Sequence, residues 1–202
     1  MIHSSADKED AMANIDDLIE IKEFPIPTTY RGDTGRCLDW TSGRNARPAF
    51  GGVYVFWWQP GPAQFYNALQ NRTFHYAGPA GQPLAWTLTE ADLRSVKNGC
   101  IPLYIGKNAS DIANRVGLHL CLGTARTVPA DAVNGVAPRR RPSCQIRDRF
   151  DRLFPCLEDT RQFLLENLAL SYVRVDNFVE RFFLEDLAVG SFGPVFNVDS
   201  ER

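Results

Sequence analysis

The sequence predicts an α/β protein of the α+β kind, in which helices flank a small sheet. Three short runs are rich in β-branched, aromatic and aliphatic residues, as strands are: 51–58, 101–105 and 168–175. Apolar residues recur at helical spacing near the N-terminus and again from residue 178 to about residue 189. With 202 residues, the chain is long enough for one ordinary domain with additions.

The first 50 residues predict an N-terminal extension made of a helix and a loop. Ile15, Leu18 and Ile19 recur at helical spacing, and Pro25 ends the pattern. Residues 28–50 are rich in Gly, Thr and Arg, which is typical of a loop, with a short element around residues 37–40.

The first two strands are separated by an insertion at about residues 59–99. Proline and glycine punctuate its first part, and a short helix follows, N-capped by Thr89 and terminated by Gly99. Tyr54 and Tyr104 then lie on two strands that most simply pair antiparallel. Both could also be ordinary aromatic residues of a strand.

The second strand leads through a turn at Gly106 into a helix, for which Asn108 or Ser110 is the expected N-cap. Four polar side chains converge at this junction; they are Tyr104, Lys107, Arg115 and His119. The last two lie four residues apart and share one helix face. The set suits a bound phosphate, because Arg offers planar paired donors and Lys a point charge. The alternative is a solvated helix face beside a core tyrosine.

A second insertion, at about residues 121–165, has no clear periodicity, but its residues 139–152 hold six arginines. The run Arg139, Arg140 and Arg141 is enclosed by prolines, and residues 145–153 could form a helix that displays Arg147 and Arg149. These arginines could contact a nucleic-acid backbone, or they could belong to a solvated loop.

The last helix is predicted to run from Phe178 to about Val189 after an Asn177 cap, with Gly190 and Gly193-Pro194 ending it. It is apolar at Phe178, Phe182, Leu184, Leu187 and Ala188. Arg181 fits a solvated face, whereas Glu185 borders the apolar stripe. That carboxylate is either a rim residue or an inward-facing metal ligand.

Composition limits the class of protein. Hydrophobic content of 44% and charged content of 23% are typical of a soluble globular protein. The sequence shows no membrane-span pattern and no signal-peptide pattern, so we expect a cytoplasmic protein. Five scattered cysteines and three histidines predict neither a disulfide framework nor a zinc site. A net charge of −2 disfavours a broad electrostatic field for nucleic acid but leaves room for one basic groove.

Taken in order, these parts resemble the GIY-YIG nuclease family. The matching residues are Gly52-Val53-Tyr54, Tyr104-Ile105-Gly106 followed by Lys107, Arg115 with His119, Glu185, and a final Asn197. The resemblance spans residues 51–197 and leaves residues 198–202 as a tail. It implies a three-stranded antiparallel sheet flanked by helices, here with large insertions. Since insertions within the domain replace an appended DNA-targeting tail, the restriction-endonuclease branch is favoured.

The resemblance also implies a hydrolytic mechanism on DNA. Glu185 would hold one Mg²⁺ (or Mn²⁺), whose preference for oxygen suits a carboxylate, waters and phosphate oxygens. Tyr54 would act as general base or orient the attacking water. A phenol with a pKa of about 10 is a poor base, so Lys107 and Arg115 are the expected supporting cations. Arg115 would also brace the phosphate, and Asn197 would be structural.

Tyr104 and His119 would bind the phosphate or assist Tyr54. The expected function is therefore a metal-dependent DNA endonuclease of the restriction or defence type. A repair or recombination nuclease acting on structured DNA is the first alternative, and a catalytically silent nucleic-acid-binding subunit is the second. A homodimer is the economical arrangement if both strands of a palindrome are cut.

Overall fold

The chain was analysed as a computed structural model, which describes residues 13–24, 26–31, 35–40, 47–69, 72–77, 83–93, 96–120, 146, 149–150 and 160–197. The strands are β1 (Lys22–Glu23), β2 (Ile26–Arg31), β3 (Gly35–Asp39), β4 (Gly52–Trp58), β5 (Thr73–Ala77), β6 (Pro83–Thr87), β7 (Ile101–Asn108) and β8 (Leu168–Arg174). The helices are α1 (Pro62–Leu69), α2 (Ile112–His119), α3 (Thr160–Asn167) and α4 (Phe178–Phe192). Short 3₁₀ turns cover Ile15–Ile19 and Glu90–Leu93.

The central sheet is antiparallel and has the strand order β1-β8-β4-β7. Its three long strands are the three that the sequence predicts, so the α+β class and the small antiparallel sheet are confirmed. The fourth strand, β1, adds only a two-residue edge beside β8. Leu18 of the preceding 3₁₀ turn is fully buried against the same sheet.

The two faces of the sheet carry separate apolar cores, because side chains alternate along each strand. Tyr54 and Phe56 of β4 pack with the buried residues of α2, a side that we call the α2 face. Val53 and Val55 pack with Leu184 of α4 on the opposite side, which we call the α4 face. The sheet thus separates two environments that begin at the same strand ends.

Several local predictions are wrong. The N-terminal helix is a five-residue 3₁₀ helix, and the expected loop of residues 28–50 contains the hairpin of β2 and β3, of which β3 matches the short element predicted around residues 37–40. The strand preference of consecutive threonine and tyrosine residues there outweighs the glycine content. The first insertion likewise contains α1 and the hairpin of β5 and β6, while the short helix after Thr89 is limited to a 3₁₀ turn.

The N-cap of α2 differs from the prediction, whereas α4 has the predicted Asn177 cap and ends at the second of its two predicted glycines. The N-cap of α2 is Asp111, whose Oδ1 accepts a hydrogen bond from the Asn114 amide at 2.8 Å. Asn108 instead accepts from the two amides before the helix, at 2.9 and 2.8 Å. Helix α4 passes through Gly190 and ends at Gly193, whose φ of 57° gives the left-handed cap that glycine favours.

Within the described residues, no helix combines the length and the apolar character that crossing a membrane would require.

Candidate functional site

The site begins at the pairing of β4 with β7, where Tyr54 lies opposite Gly106. A Cβ atom added to Gly106 would lie 2.6 Å from the Tyr54 Oη and 3.0 Å from Cε1 of Tyr104. Glycine at this position therefore lets the Tyr54 ring lie directly across the neighbouring strand. This close approach is the physical reason for a glycine two residues after Tyr104.

Tyr54, Tyr104 and His119 form an aromatic cluster on the α2 face. The Tyr54 hydroxyl and His119 Nε2 are joined by a hydrogen bond of 2.7 Å, and the Tyr104 and His119 ring centroids are 5.2 Å apart. His119 is fully buried, Tyr54 is 1% exposed and Tyr104 is 6% exposed. The structure thus brings together three of the predicted catalytic side chains, in a closely packed setting.

Burial determines the protonation state of His119. Loss of hydration, together with the nearby positive charge of Arg115, lowers the pKa of His119 to about 3. The imidazole is therefore neutral at physiological pH, and it has no positive charge with which to stabilise a Tyr54 phenolate. Its hydrogen bond instead fixes the direction of the Tyr54 hydroxyl.

Lys107 and Glu185 form an ion pair on the α4 face. Lys107 Nζ donates to Glu185 Oε2, and the ammonium also lies 4.5 Å from the centroid of the Phe182 ring. The register partner of Lys107 is Val53, which lies next to Tyr54 on β4. The pair therefore lies at the same end of the sheet as the aromatic cluster but on the other face.

This arrangement divides the predicted site. Arg115 lies on α2 with His119, one turn away, so it is the predicted cation on the face that carries Tyr54. Lys107 instead contacts Glu185. The predicted nucleic-acid contacts Arg139, Arg140, Arg141 and Arg147 lie outside the described residues.

Two further arginines differ from the prediction of solvated positions. Arg149 is buried, and so is Arg181, whose guanidinium donates to the Val175 and Asp176 carbonyl oxygens at 3.0 and 2.9 Å. Arg181 therefore ties the start of α4 to the end of β8. The pattern of charged and apolar residues in α4 does not predict that Arg181 is buried, because its hydrogen-bond partners are backbone atoms outside the helix.

Asn197 is structural, as expected from the sequence. Its side chain accepts from the Ile105 amide at 2.7 Å and donates to the Ile105 carbonyl at 2.8 Å. The amides of Val195 and Phe196 also donate to the outer edge of β7. The segment 195–197 therefore completes the hydrogen bonding of that edge and holds the strand that carries Tyr104 and Lys107.

Glu185 is the residue whose chemistry suits a metal ion. Its side chain is 17% exposed, and Lys107 binds Oε2, so Oε1 is the oxygen that an ion would take. Across the described parts of the chain, no three His, Cys, Asp or Glu side chains cluster as a metal site. The donor set fits an ion held by one carboxylate, water and phosphate oxygens, as Mg²⁺ often is.

Comparison with known proteins returned no match: no family model, no curated protein and no solved structure matches this chain significantly.

Proposed function

We propose that this chain is a divalent-metal-dependent DNA endonuclease of the GIY-YIG type, with restriction or defence as its setting in the cytoplasm. The observation that carries the proposal is the Tyr54–His119 hydrogen bond at the sheet end where Lys107 and Glu185 also meet. The bond links the first tyrosine to the helical histidine, and Tyr104 packs against the same histidine ring. The GIY-YIG-like detail of the sheet and its insertions belongs to the same proposal.

Tyr54 orients the attacking water in this proposal. The neutral His119 ring holds the hydroxyl in one direction, which leaves the remaining electron pairs of Oη to bind water. Because His119 is a very weak base when buried, orientation is favoured over full removal of the phenolic proton. Tyr104 packs against the same ring and keeps it in place.

Arg115 is assigned to the scissile phosphate, since its charge lies on the α2 face beside the Tyr54–His119 pair. Glu185 would hold Mg²⁺ or Mn²⁺, and the ion when bound would stabilise negative charge on the phosphate and the leaving oxygen. Lys107 fixes the Glu185 carboxylate through their ion pair. Arg139, Arg140, Arg141 and Arg147 would bind the DNA backbone.

A second candidate function is a catalytically silent nucleic-acid-binding subunit. One observation favours it: Tyr54 is 1% exposed and His119 is fully buried, so almost none of either side chain reaches solvent. Cleavage requires Tyr54 to become accessible to water and phosphate, whereas binding does not. A repair nuclease would differ from a restriction enzyme only in the DNA substrate that it cuts.

The deciding experiment is cleavage of supercoiled plasmid, long linear DNA and branched DNA, each with Mg²⁺ and with EDTA. We expect Mg²⁺-dependent cutting, and Tyr54→Phe and Glu185→Gln should each lower the rate by about 10²–10⁴-fold with DNA binding retained. Discrete fragments from linear DNA would indicate a sequence-specific enzyme, and cutting of branched DNA alone would indicate a repair nuclease.

Two matched variants serve as controls. Tyr172→Phe removes a hydroxyl from the register partner of Tyr54 on β8, and Glu180→Gln removes a carboxylate from the first turn of α4. Both should cut at the normal rate. Cleavage that survives Glu185→Gln would overturn the metal assignment, and DNA binding without any cutting would favour the silent subunit.

A further inference from the structure

Helix α4 exposes an apolar face that the sequence pattern assigns to the core. Only one side of the helix, including Leu184, Ala188 and Phe192, is buried against the sheet. The opposite side exposes large apolar side chains at Phe178 (70%), Val179 (54%), Phe182 (45%), Phe183 (67%) and Leu187 (54%). We call these five residues the α4 patch. Contiguous apolar patches of this kind mark interaction sites.

We propose that the α4 patch binds the same patch of a second copy of this chain, forming a two-fold symmetric dimer. The proposal concerns association alone and does not depend on the proposed nuclease activity. Three observations support it: the area of the patch, the distribution of side-chain size along the helix, and the charges around it.

The area is close to the smallest that specific interfaces bury. A whole aromatic side chain buries roughly 150–250 Å², so the exposed parts of the three phenylalanines amount to about 350 Å². Val179 and Leu187 raise this to about 450 Å² on each protomer. Two patches in contact would remove at most about 900 Å² from water before any rim is counted, because Phe178 and Leu187 lie at opposite edges of the patch; weak specific complexes bury about 1,000–1,200 Å². We therefore expect a reversible, concentration-dependent dimer.

The patch is self-complementary in shape when two copies pair antiparallel. One ridge of α4 is formed by residues spaced four apart: Val179, Phe183, Leu187 and Ser191. Its side chains are bulky towards the N-terminal end of the helix and small at the C-terminal end. Gly190 lies beside Ser191, and a Cβ atom there would meet nothing within 4 Å. With the two-fold axis at Leu187, Phe183 of each copy lies against the small residues of the other.

Gly190 itself points to a close partner. Glycine in a helix interior is destabilising relative to alanine, and no contact within the described residues requires it here. A second helix that approaches closely at this turn would require it. Two helices whose ridges of side chains spaced four residues apart interlock have an angle of about −50° between their axes, and this packing gives such an approach.

The charges of α4 disfavour the main alternatives. The charged residues near the patch are Glu180, Glu185 and Asp186, while Arg181 is buried. Nucleic acids and anionic lipid surfaces would be repelled from the patch by Asp186, which lies within it, and by Glu180 at its edge. Two copies of Asp186 would also lie near the axis, so the dimer carries a modest repulsion that salt screens.

The test is sedimentation equilibrium of the full chain from about 1 μM to about 200 μM. We expect a monomer–dimer equilibrium within that range. Phe183→Glu should weaken it at least about tenfold, since a central apolar contact is replaced by charge. Gly190→Leu should weaken it as well, because it fills the space that the second copy uses. Asp186→Asn, and added salt, should strengthen it.

Leu118→Glu is the matched control, because Leu118 is another exposed leucine, 43% exposed on α2 and outside the patch. It should leave the equilibrium unchanged. Circular dichroism checks that each variant is folded, which exposed positions should allow. A wild-type protein that stays monomeric at every concentration would assign the patch to a different partner and overturn the proposal. A dimer unaffected by both Phe183→Glu and Gly190→Leu would overturn it too.

Discussion

The two faces of the sheet hold polar side chains of opposite character at the same strand ends. On the α2 face, Tyr54 and His119 are buried, uncharged and linked by one hydrogen bond. On the α4 face, Lys107 and Glu185 are charged and partly exposed. Only a single step along β7, from Gly106 to Lys107, separates the two environments. Burial therefore keeps the His119 imidazole neutral, whereas Lys107 and Glu185 keep contact with water and pair with each other.

The largest effect should follow a change at Gly106. Gly106→Ala places a Cβ atom 2.6 Å from the Tyr54 Oη, and moving that oxygen away would break its buried hydrogen bond to His119. We expect the free energy of unfolding to fall by about 3 kcal/mol, the upper part of the range for overpacking. Urea denaturation measures this loss.

Gly117→Ala is the matched control for that substitution. Gly117 lies within α2, and an added Cβ atom there meets nothing within 4 Å. We expect Gly117→Ala to raise stability by about 0.5–1 kcal/mol through helix propensity. Equal effects of the two substitutions would contradict the close packing of Tyr54 on β7.

An intermediate effect should appear as pH is lowered. His119 has a pKa of about 3 in the folded protein and about 6.5 when unfolded, so the unfolded state binds the extra proton between these values. Its contribution to stability is complete above pH 6.5 and is lost progressively as pH falls towards 3. We expect a loss of about 1.4 kcal/mol per pH unit near pH 5.

Denaturation of the wild type and of His119→Gln at pH 5 and pH 6 tests this. In the variant, the free energy of unfolding should change less steeply with pH, by the amount that the uptake of one proton contributes. An unchanged slope would mean that His119 is protonated in the folded protein, which would remove the difference between the two faces.

The smallest effect should come from the ion pair. In a double-mutant cycle of Lys107→Met and Glu185→Gln, we expect a coupling of less than about 1 kcal/mol, since both side chains retain contact with water. A corresponding cycle of Tyr54→Phe and His119→Phe should give about 1–2 kcal/mol, because that hydrogen bond is buried. A coupling energy that is larger for Lys107 and Glu185 than for Tyr54 and His119 would contradict this order of the two faces.

The sequence was a good guide to the sheet and a poor one to its surroundings. The strands around Tyr54, Tyr104 and residues 168–174 are continuous apolar runs, which is the pattern of strands covered on both sides. The hairpin within residues 73–87 and the first strand of the hairpin within residues 26–39 are not evident in the sequence, because short strands with polar residues do not differ from loops in composition.

Helix α4 was the main error. Its apolar residues encircle much of the helix, so periodicity could not tell which side is buried, and the exposed positions of Phe178, Phe182 and Leu187 were assigned to the core. The Tyr54–His119 contact agrees with a role that only the family resemblance implies for His119, because strand pairing and helical spacing do not by themselves bring these two side chains together. The position of Lys107 on the opposite face depends on strand alternation beyond Gly106, where the sequence instead predicted a turn.

The side-chain clamp of Asn197 on Ile105 also has a consequence for biosynthesis. The outer edge of β7 gains its last hydrogen bonds only when residues 195–197 have been translated, about 90 residues after the strand itself. Until then the nascent chain presents an apolar strand with an open edge, the kind of template on which chains aggregate. Truncated products that stop before Val195 should accordingly accumulate in inclusion bodies or require chaperones.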